Sequence, residues 1–373
     1  MGMTQRASWI QRRLLEYQHI LVFIAPAVFV AVVLTGAPLP AQAGDGYWLE
    51  FWWLFPFFLL GATIVNTVGI SGSALFVPYL IFIFPVLMPV LAPDAIISAN
   101  LSPSTIVKIG LISESFGLSS SAFAFIRYGL VDRRLAVALV GGSVPFVIGG
   151  ALLSFIIPEP VFHALLGIAL TAAAYMLFKA DLSHEEPSTV GSEDTHHVEA
   201  DGGRPLPDDR GKPGSAGVRT DDGEVTRVDR HGDDYRYERT GYLERFANYS
   251  IGGIFQGLAG FGIGELGIIS MIRTKVPVRV AIGTNHIVVA MTAVLASLVH
   301  VFGGGLVPGG HSLDLATTPW NIVVWTVPAT VLGGQVAPYV SDTLDTEILK
   351  HGVGVLFTII ATALFIMASS GFF

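Results

Sequence analysis

The sequence contains no cysteine and few charged residues. Because none of its 373 residues is Cys, disulfide bonds, thiolate metal sites, iron–sulfur clusters and cysteine nucleophiles are excluded. Only 13% of the residues are charged, whereas 52% are hydrophobic and the mean hydropathy is +0.62. A chain with this much apolar surface is typical of a polytopic membrane protein rather than a soluble globule.

The acidic charge is concentrated in one segment. The formal net charge is −8, and residues 181–240 hold 16 acidic and 8 basic side chains, so the whole of the net charge lies there. This segment has hardly any aliphatic residue, which predicts a disordered linker. A negative net charge argues against a nucleic-acid partner.

The P-loop pattern Gly-x4-Gly-Lys-[Ser/Thr] is absent from the sequence. Its absence gives no support to transport driven by ATP hydrolysis, and we expect no cofactor and no metal.

The apolar runs divide the chain into four parts: a basic N-terminal segment with a first apolar helix (1–46), a first membrane repeat (47–180), a disordered acidic linker (181–243) and a second membrane repeat (244–373). The first part also has the layout of a cleavable signal peptide, although its apolar core is long for one, so both interpretations stay open. The runs predict an all-α polytopic membrane protein with about nine transmembrane helices.

Two glycine-rich stretches interrupt the apolar runs. They are Gly69-Ile70-Ser71-Gly72-Ser73 in the first repeat and Gly260-Phe261-Gly262-Ile263-Gly264 in the second. Glycine inside a helix costs about 1 kcal/mol relative to alanine and lets the backbone unwind. At membrane depth, such a break is tolerated only where it is buried or lines a cavity. Two breaks in corresponding places predict a transporter binding site, with close helix packing of small residues as the alternative.

Further landmarks recur in the same order in both halves. Ser98-Ala99-Asn100 aligns with Gly283-Thr284-Asn285, and Pro145 with Gly149-Gly150 aligns with Pro328 and Gly333-Gly334. If each broken segment is re-entrant and three full crossings follow, the number of crossings per half is odd. The two repeats are then inverted relative to each other. The alternative is a discontinuous helix that crosses fully.

The basic residues support this topology. With the N-terminus in the cytoplasm, the linker 181–243 is also cytoplasmic, and the external loops at 37–47, 91–94, 158–160 and 303–318 contain no Lys or Arg. The basic residues that are then cytoplasmic include Arg127, Arg133, Arg134, Lys179, Arg273, Lys275, Arg279 and Lys350. We therefore expect a multi-pass protein of the plasma membrane.

One lysine falls inside an apolar run. Lys108 lies near the centre of the run 95–122, and Asn100, Ser104 and Ser115 lie near the same helical face. A lysine within the bilayer is costly and faces the interior of the bundle or an aqueous cavity. A polar stripe with one positive charge suits an anion pathway. The alternative is that Lys108 pairs with Glu114 or Glu265 and joins two helices.

Other polar residues lie next to the breaks. Glu265 follows the second break and could carry a coupling proton, pair with Lys108 or cap a helix. His286 could be a proton carrier or a hydrogen-bonded core residue. The predicted substrate-binding residues are Lys108, Asn100, Ser71, Ser73, Gly69, Gly72, Gly260, Gly262, Gly264, Thr284 and Asn285, and the predicted coupling or gating residues are Glu265 and His286.

Two other functions are weighed against transport. Gly69-Ile70-Ser71-Gly72 fits the Gly-x-Ser-Gly of intramembrane serine proteases, with His286 or His300 as the base. The second repeat has Gly262 where the first has Ser71, which favours a requirement for small size over one for a hydroxyl. A passive anion channel is the other alternative.

These motifs resemble those of the sulfite exporter TauE/SafE family, also called the 4-toluene sulfonite uptake permease family. Gly260-Phe261-Gly262-Ile263-Gly264 and Ala281-Ile282-Gly283-Thr284-Asn285 look like its second-repeat motifs. Gly69-Ile70-Ser71-Gly72-Ser73 with Pro78 looks like its first break, with serines in place of two glycines.

The resemblance implies a transporter of sulfite, thiosulfate, sulfonates or other organic anions, and not an enzyme. We expect secondary transport by alternating access, coupled to protons. The expected partners are a small anion and the lipid bilayer, and assembly as a homodimer stays open. We expect the hydroxyl-lined first break to contact the anion, and the second break, beside Glu265, to serve coupling or gating.

Overall fold

A computed structural model describes residues 17–41, 43–93, 95, 101–179, 218–221, 224–228, 234–303, 306, 315, 318–343 and 346–372. Its first half contains α1 (Gln18–Gly36), α2 (Leu54–Val68), α3 (Ser73–Pro78), α4 (Phe84–Leu91), α5 (Pro103–Tyr128), α6 (Arg133–Ser154) and α7 (Glu159–Lys179). A short 3-10 turn (Tyr47–Leu49) precedes α2, and a π-helical turn (Tyr79–Ile83) joins α3 to α4.

The second half begins with three strands, β1 (Val218–Asp221), β2 (Glu224–Val228) and β3 (Asp234–Glu238). The helices α8 (Tyr242–Ala259), α9 (Ile263–Arg273), α10 (Val278–Phe302), α11 (Trp320–Thr343) and α12 (Thr346–Phe372) follow. Within the described residues, eight segments are long and apolar enough to cross a membrane, and Val22–Gly36 is a shorter apolar helix. The molecule is therefore a nearly all-helical, multi-pass membrane protein.

The first glycine break is the tip of a helical hairpin. Aromatic rings of α2 and the residue before it pack against rings of α3 and α4 in antiparallel order: Trp53 lies 5.8 Å from Phe84 near the open end, and Phe58 lies 4.4 Å from Phe76 nearer the tip. The chain therefore reverses direction at the break. Pro78 and the π-helical turn lie within the returning arm.

The second break forms a hairpin of the same kind. Its arms, α8 and α9, pack against each other. An ion pair of 2.9 Å joins Glu244, near the start of α8, to Arg273, the last residue of α9. Because the beginning of one arm lies beside the end of the other, the chain also reverses direction at this break.

The helices pack in a reciprocal pattern. The first hairpin arm α2 packs on α11 of the second half, and α8 packs on α6 of the first half. One glycine of each aligned pair lies at these crossings: a Cβ added to Gly150 would lie 2.1 Å from Ile254 O, and one added to Gly333 would lie 2.7 Å from Leu59 O. In addition, α5 packs on α10 and α7 packs on α12, which are the corresponding helices of the two halves.

The three strands correct one prediction. They form an antiparallel sheet in the order β1-β2-β3, within the segment predicted to be disordered and in a chain predicted to be all-α. Val225, Arg227, Tyr235 and Tyr237 are buried, and their alternate spacing places them on one face of the sheet. The buried side chains recur at every second position, and two of the four are tyrosines and one is an arginine. A count of aliphatic residues therefore does not reveal that this segment can fold. Residues 180–217 lie outside the described part of the chain.

Candidate functional site

The two breaks share one backbone geometry. Each hairpin's first helix is followed by a glycine in the left-handed region, Gly69 with φ +82° and Gly260 with φ +87°. Glycine adopts this conformation without the steric penalty that a Cβ would bring. The next helix then begins a few residues later, at Ser73 in the first hairpin and at Ile263 in the second.

The tips of the two hairpins touch. A Cβ added to Gly264 would lie 2.7 Å from Ser71 Oγ and 2.8 Å from Ser71 N. A Cβ added to Gly260 would lie 3.1 Å from the Cβ of Ser73. The side chains of the first tip therefore fill the space that the glycines of the second tip leave, which explains why the first motif has serines where the second has glycines.

Glu265 joins the two tips by hydrogen bonds. Its Oε1 accepts a bond of 3.1 Å from Ser71 N, and its Oε2 accepts one of 2.8 Å from Gly262 N. The Ser71 hydroxyl lies 3.4 Å from Oε2. Of the three roles considered for Glu265, the structure shows helix capping, since its carboxylate binds N–H groups at the beginning of α9 and just before α3.

Glu114 makes a similar contact with the neighbouring serine of the first tip. Its Oε2 accepts hydrogen bonds from both the backbone N–H of Ser73, at 2.9 Å, and the Ser73 hydroxyl. Gln256 Nε2 lies 3.4 Å from Glu114 Oε1, and Gln256 Oε1 lies 3.4 Å from the Ser71 hydroxyl. From the sequence, Glu114 is expected only as a partner for Lys108. A carboxylate inside an apolar run is the signal that could have identified it.

Asn285, which lies on α10, forms hydrogen bonds with both glycine breaks. Its Nδ2 donates to Gly69 O at 3.0 Å and to Gly264 O at 2.8 Å, and its Oδ1 accepts from the Tyr249 hydroxyl at 2.7 Å. These bonds satisfy one carbonyl in each hairpin tip. The structure thus brings together Gly69, Ser71, Gly72, Ser73, Gly260, Gly262, Gly264, Glu265 and Asn285 of the predicted set.

Lys108 is buried inside the bundle, as expected, but it lies nearer the beginning of its helix than predicted. Because α5 begins at Pro103, Lys108 is on the second turn of the helix and not near its centre. Its Nζ donates to Thr318 Oγ1 at 3.0 Å. The hydrogen bonds of Glu114 and Glu265 come from other groups, so the lysine does not bridge to either carboxylate.

The remaining predicted residues of the described part of the chain make their contacts away from the hairpin tips. Thr284 Oγ1 accepts a bond of 2.9 Å from Asp132 N, in the turn between α5 and α6. The His286 ring stacks on Phe125 with 4.7 Å between centroids, and its Nδ1 lies 2.7 Å from Ile282 O. Asn100 lies outside the described residues.

The described residues do not assemble a serine protease site. The Ser71 hydroxyl contacts Gln256 and Glu265, and no histidine of the described ranges is among its partners. His300 Nε2 is bound to Gly257 O, and His286 stacks on a phenylalanine. Without a histidine in hydrogen-bond reach, Ser71 lacks the serine–histidine pair that activates the nucleophile of such a protease.

Two hairpins that meet tip to tip within a multi-pass helical protein form the kind of broken-helix site found in secondary transporters. The chain belongs to the sulfite exporter TauE/SafE family, because the family's sequence model, described as "Sulfite exporter TauE/SafE", matches residues 54–366. This membership implies a membrane transporter of sulfur-containing anions rather than an enzyme. No curated protein and no solved structure matches the chain.

Proposed function

We propose that this protein is a proton-coupled secondary transporter that moves a small sulfur-containing or organic anion, of the sulfite, thiosulfate or sulfonate class, across the plasma membrane. One observation supports this most strongly. The N–H donors at the hairpin tips, where an anion would bind, are occupied by the protein's own carboxylates, Glu114 and Glu265. Backbone N–H groups at helix beginnings attract anions, and a carboxylate there takes the place of a substrate oxyanion.

The donor set suits a sulfite or sulfonate group. Such a group presents three acceptor oxygens, and the tips offer the N–H groups of Ser71, Ser73 and Gly262 together with two serine hydroxyls. These donors are fixed by the hairpin backbone, so they need little rearrangement to bind an anion. Because both hydroxyls belong to the first tip, we assign that tip the larger share of anion contact.

Protonation of Glu114 and Glu265 couples anion binding to proton binding. In the described part of the chain, no cationic side chain donates to Glu114 or Glu265, so their charge is compensated only by hydrogen bonds. Adding an anion beside two buried negative charges is strongly unfavourable at low dielectric. A protonated carboxyl carries no charge and releases the serine donors to the substrate. Anion and proton then move in the same direction.

The two hairpins supply the elements for alternating access. We propose that they are re-entrant, that they belong to two inverted repeats, and that they open alternately toward the two sides of the membrane. The reciprocal packing of α2 on α11 and of α8 on α6 supports this arrangement. The basic residues at 127–134 and 273–279 support a cytoplasmic location for the N-terminus and the sheet. Lys108, bound to Thr318, would then lie on the external access path.

Transport by the purified full-length chain in liposomes tests this function. Sulfite, thiosulfate, sulfoacetate and taurine are compared as labelled substrates. We expect counterflow with at least one of the anions and accumulation that follows an imposed pH gradient. Flux without counterflow would instead identify a passive channel. Accumulation that is indifferent to the pH gradient would overturn the coupling, and absence of flux for every anion would overturn the substrate class.

A further inference from the structure

A buried ion pair joins the β-sheet to the turn between α5 and α6. Arg239, just after β3, donates from Nε to Asp132 Oδ2 at 2.8 Å and from Nη2 to Asp132 Oδ1 at 3.1 Å. The Tyr237 hydroxyl donates to the same Oδ2 at 2.8 Å. The Asp132 side chain is 1% exposed and that of Arg239 is 14% exposed. The two-pronged geometry fixes the orientation of the sheet as well as its position.

The sheet also contacts both halves of the membrane domain. Arg227 of β2 donates to Gly129 O at 3.0 Å, in the turn of the first half. Arg279, at the beginning of α10 in the second half, donates to the Tyr235 hydroxyl at 3.2 Å. The sheet therefore spans the boundary between the two halves, on the side where α6 and α10 begin.

The same turn is bound directly to α10. Asp132 N donates to Thr284 Oγ1 at 2.9 Å, and a Cβ added to Gly283 would lie 2.4 Å from Leu130 O. Thr284 is followed in the chain by Asn285, which binds a carbonyl in each hairpin tip. Movement of α10 away from this turn would therefore disturb both the ion pair and the contact between the tips.

We infer that the sheet acts as a gate, which means that it controls whether the transport site can open on this side of the membrane. While it is docked, it holds the turn 129–132 of the first half against α10 of the second half and keeps the transport site closed on this side. The sheet must undock before the site can open there. This role rests on the proposed transport function, because a gate that regulates access requires a site that opens alternately. The sheet between α7 and α8 is then a regulatory element and not only part of a connection.

Docking of the sheet depends on the ion pair between Arg239 and Asp132. Burial alone would raise the pKa of Asp132, but the hydrogen bonds and charge of Arg239 together with the Tyr237 hydroxyl outweigh burial and hold this pKa below its usual range. Removing one partner leaves a buried charge uncompensated, which is strongly unfavourable. Substitution of Arg239 should therefore shift the equilibrium toward the undocked sheet by about tenfold or more.

Spin labels can report docking because the chain has no native cysteine. We would place cysteines at Glu238 on the sheet and Ala138 on α6, both of which are exposed, and measure their distance by double electron–electron resonance in the full-length protein. Flux is measured in liposomes for the same samples. The variants are Arg239→Gln, Tyr237→Phe, which removes one hydroxyl, and Arg239→Lys. Arg273→Gln, which breaks the exposed pair with Glu244, is the control.

We expect one narrow distance in the unsubstituted protein and a longer, broader population in Arg239→Gln, with a several-fold increase in flux. Tyr237→Phe should change both quantities in the same direction by less, Arg239→Lys should restore docking in part, and Arg273→Gln should change neither. An undocked sheet with unchanged or lower flux would overturn the gate, as would a sheet that stays docked in Arg239→Gln. A docked sheet in a protein that moves no anion would instead overturn the transport function and the gate with it.

Discussion

Ser73 donates both its backbone N–H and its hydroxyl to one carboxylate oxygen of Glu114. A single residue at the beginning of a helix thus supplies two donors to one oxygen of a buried carboxylate, whose other oxygen accepts from Gln256 Nε2 at 3.4 Å. No cationic side chain of the described residues donates to this carboxylate. The same two donors are those that a substrate oxyanion would need. Competition between a carboxylate and a substrate for one set of donors is the physical basis of the proposed coupling.

Glu114→Gln should separate transport from the pH gradient. Glutamine has nearly the same shape and can still accept from Ser73, but it cannot take up a proton at neutral pH. We expect counterflow to remain within about tenfold of the unsubstituted rate, the effect of altering one hydrogen-bonded group, while accumulation driven by a pH gradient is lost. Glu244→Gln, at an exposed carboxylate, is the matched control. Retention of gradient-driven accumulation in Glu114→Gln would remove this residue from the coupling.

Gly264→Ala should destabilise the contact between the tips. The new Cβ would lie 2.7 Å from Ser71 Oγ and 2.8 Å from Ser71 N, and a backbone nitrogen cannot move aside as a flexible side chain could. Overpacking of this kind costs about 1–3 kcal/mol. Thermal unfolding in detergent measures the loss. Gly149→Ala is the matched control because no atom lies within 4 Å of its added Cβ. Equal melting temperatures for the two variants would show that the tips do not pack as described.

Local features of the sequence predict the breaks well. Gly69 and Gly260 follow apolar helices and adopt positive φ, which is a property of the glycine residue itself and of its immediate neighbours. Such features depend on short stretches of chain, so they can be recognised without knowledge of the helix packing.

Other features depend on contacts between distant segments. Nothing near Glu114 in the sequence indicates that Ser73 and Gln256 will be its partners. The predicted position of Lys108 near the centre of its apolar segment is wrong for the helix, because the apolar run begins before Pro103, whereas the helix begins at that proline. Ser102, whose Oγ accepts from Thr105 N at 3.3 Å, and the Pro103 that follows it are a helix-start signal that would have corrected this position.

Ser73→Ala should weaken anion binding more than Ser71→Ala does. Removing the Ser73 hydroxyl takes away one donor from the proposed site, and a loss of about three- to tenfold in affinity is expected for one hydrogen bond. Ser71→Ala should keep most transport activity, because the corresponding residue of the second tip is Gly262. Substrate affinity is measured by thermal stabilisation across the anion panel. Complete loss of activity in Ser71→Ala with unchanged folding would reopen a nucleophilic role for that serine.

Acidification should undock the sheet. The pKa of Asp132 is lowered in the folded protein, so its contribution to docking is present above the unfolded pKa of about 3.9 and is lost as the pH falls through the lower, folded value. Arg239 stays protonated throughout this range, as does Arg245, which interacts electrostatically with Asp132, and the Tyr237 hydroxyl stays neutral. Asp132 is therefore the group of this contact that titrates there.

The same pair of spin labels measures this pH dependence. The distance between labels at positions 238 and 138 should lengthen below about pH 4, and Asp132→Asn should show the long distance at neutral pH. Arg273→Gln again serves as the control, because it removes an exposed ion pair and leaves the partners of Asp132 unchanged. A distance independent of pH would contradict the role of this ion pair.

Lys108→Gln should reduce anion affinity without affecting the contact between the tips. The lysine lies on the second turn of α5 and donates to Thr318, whereas the hairpin tips contact Glu114 further along the same helix. The Lys108 side chain is fully buried, so its positive charge would attract an anion on the access path with little screening by salt. We therefore expect a higher KM for Lys108→Gln at both low and high ionic strength. Lys108→Arg keeps the charge and should keep KM closer to that of the unsubstituted protein. If Lys108→Gln leaves KM unchanged, the lysine has no electrostatic role in transport and acts only in the packing of α5 against the segment before α11.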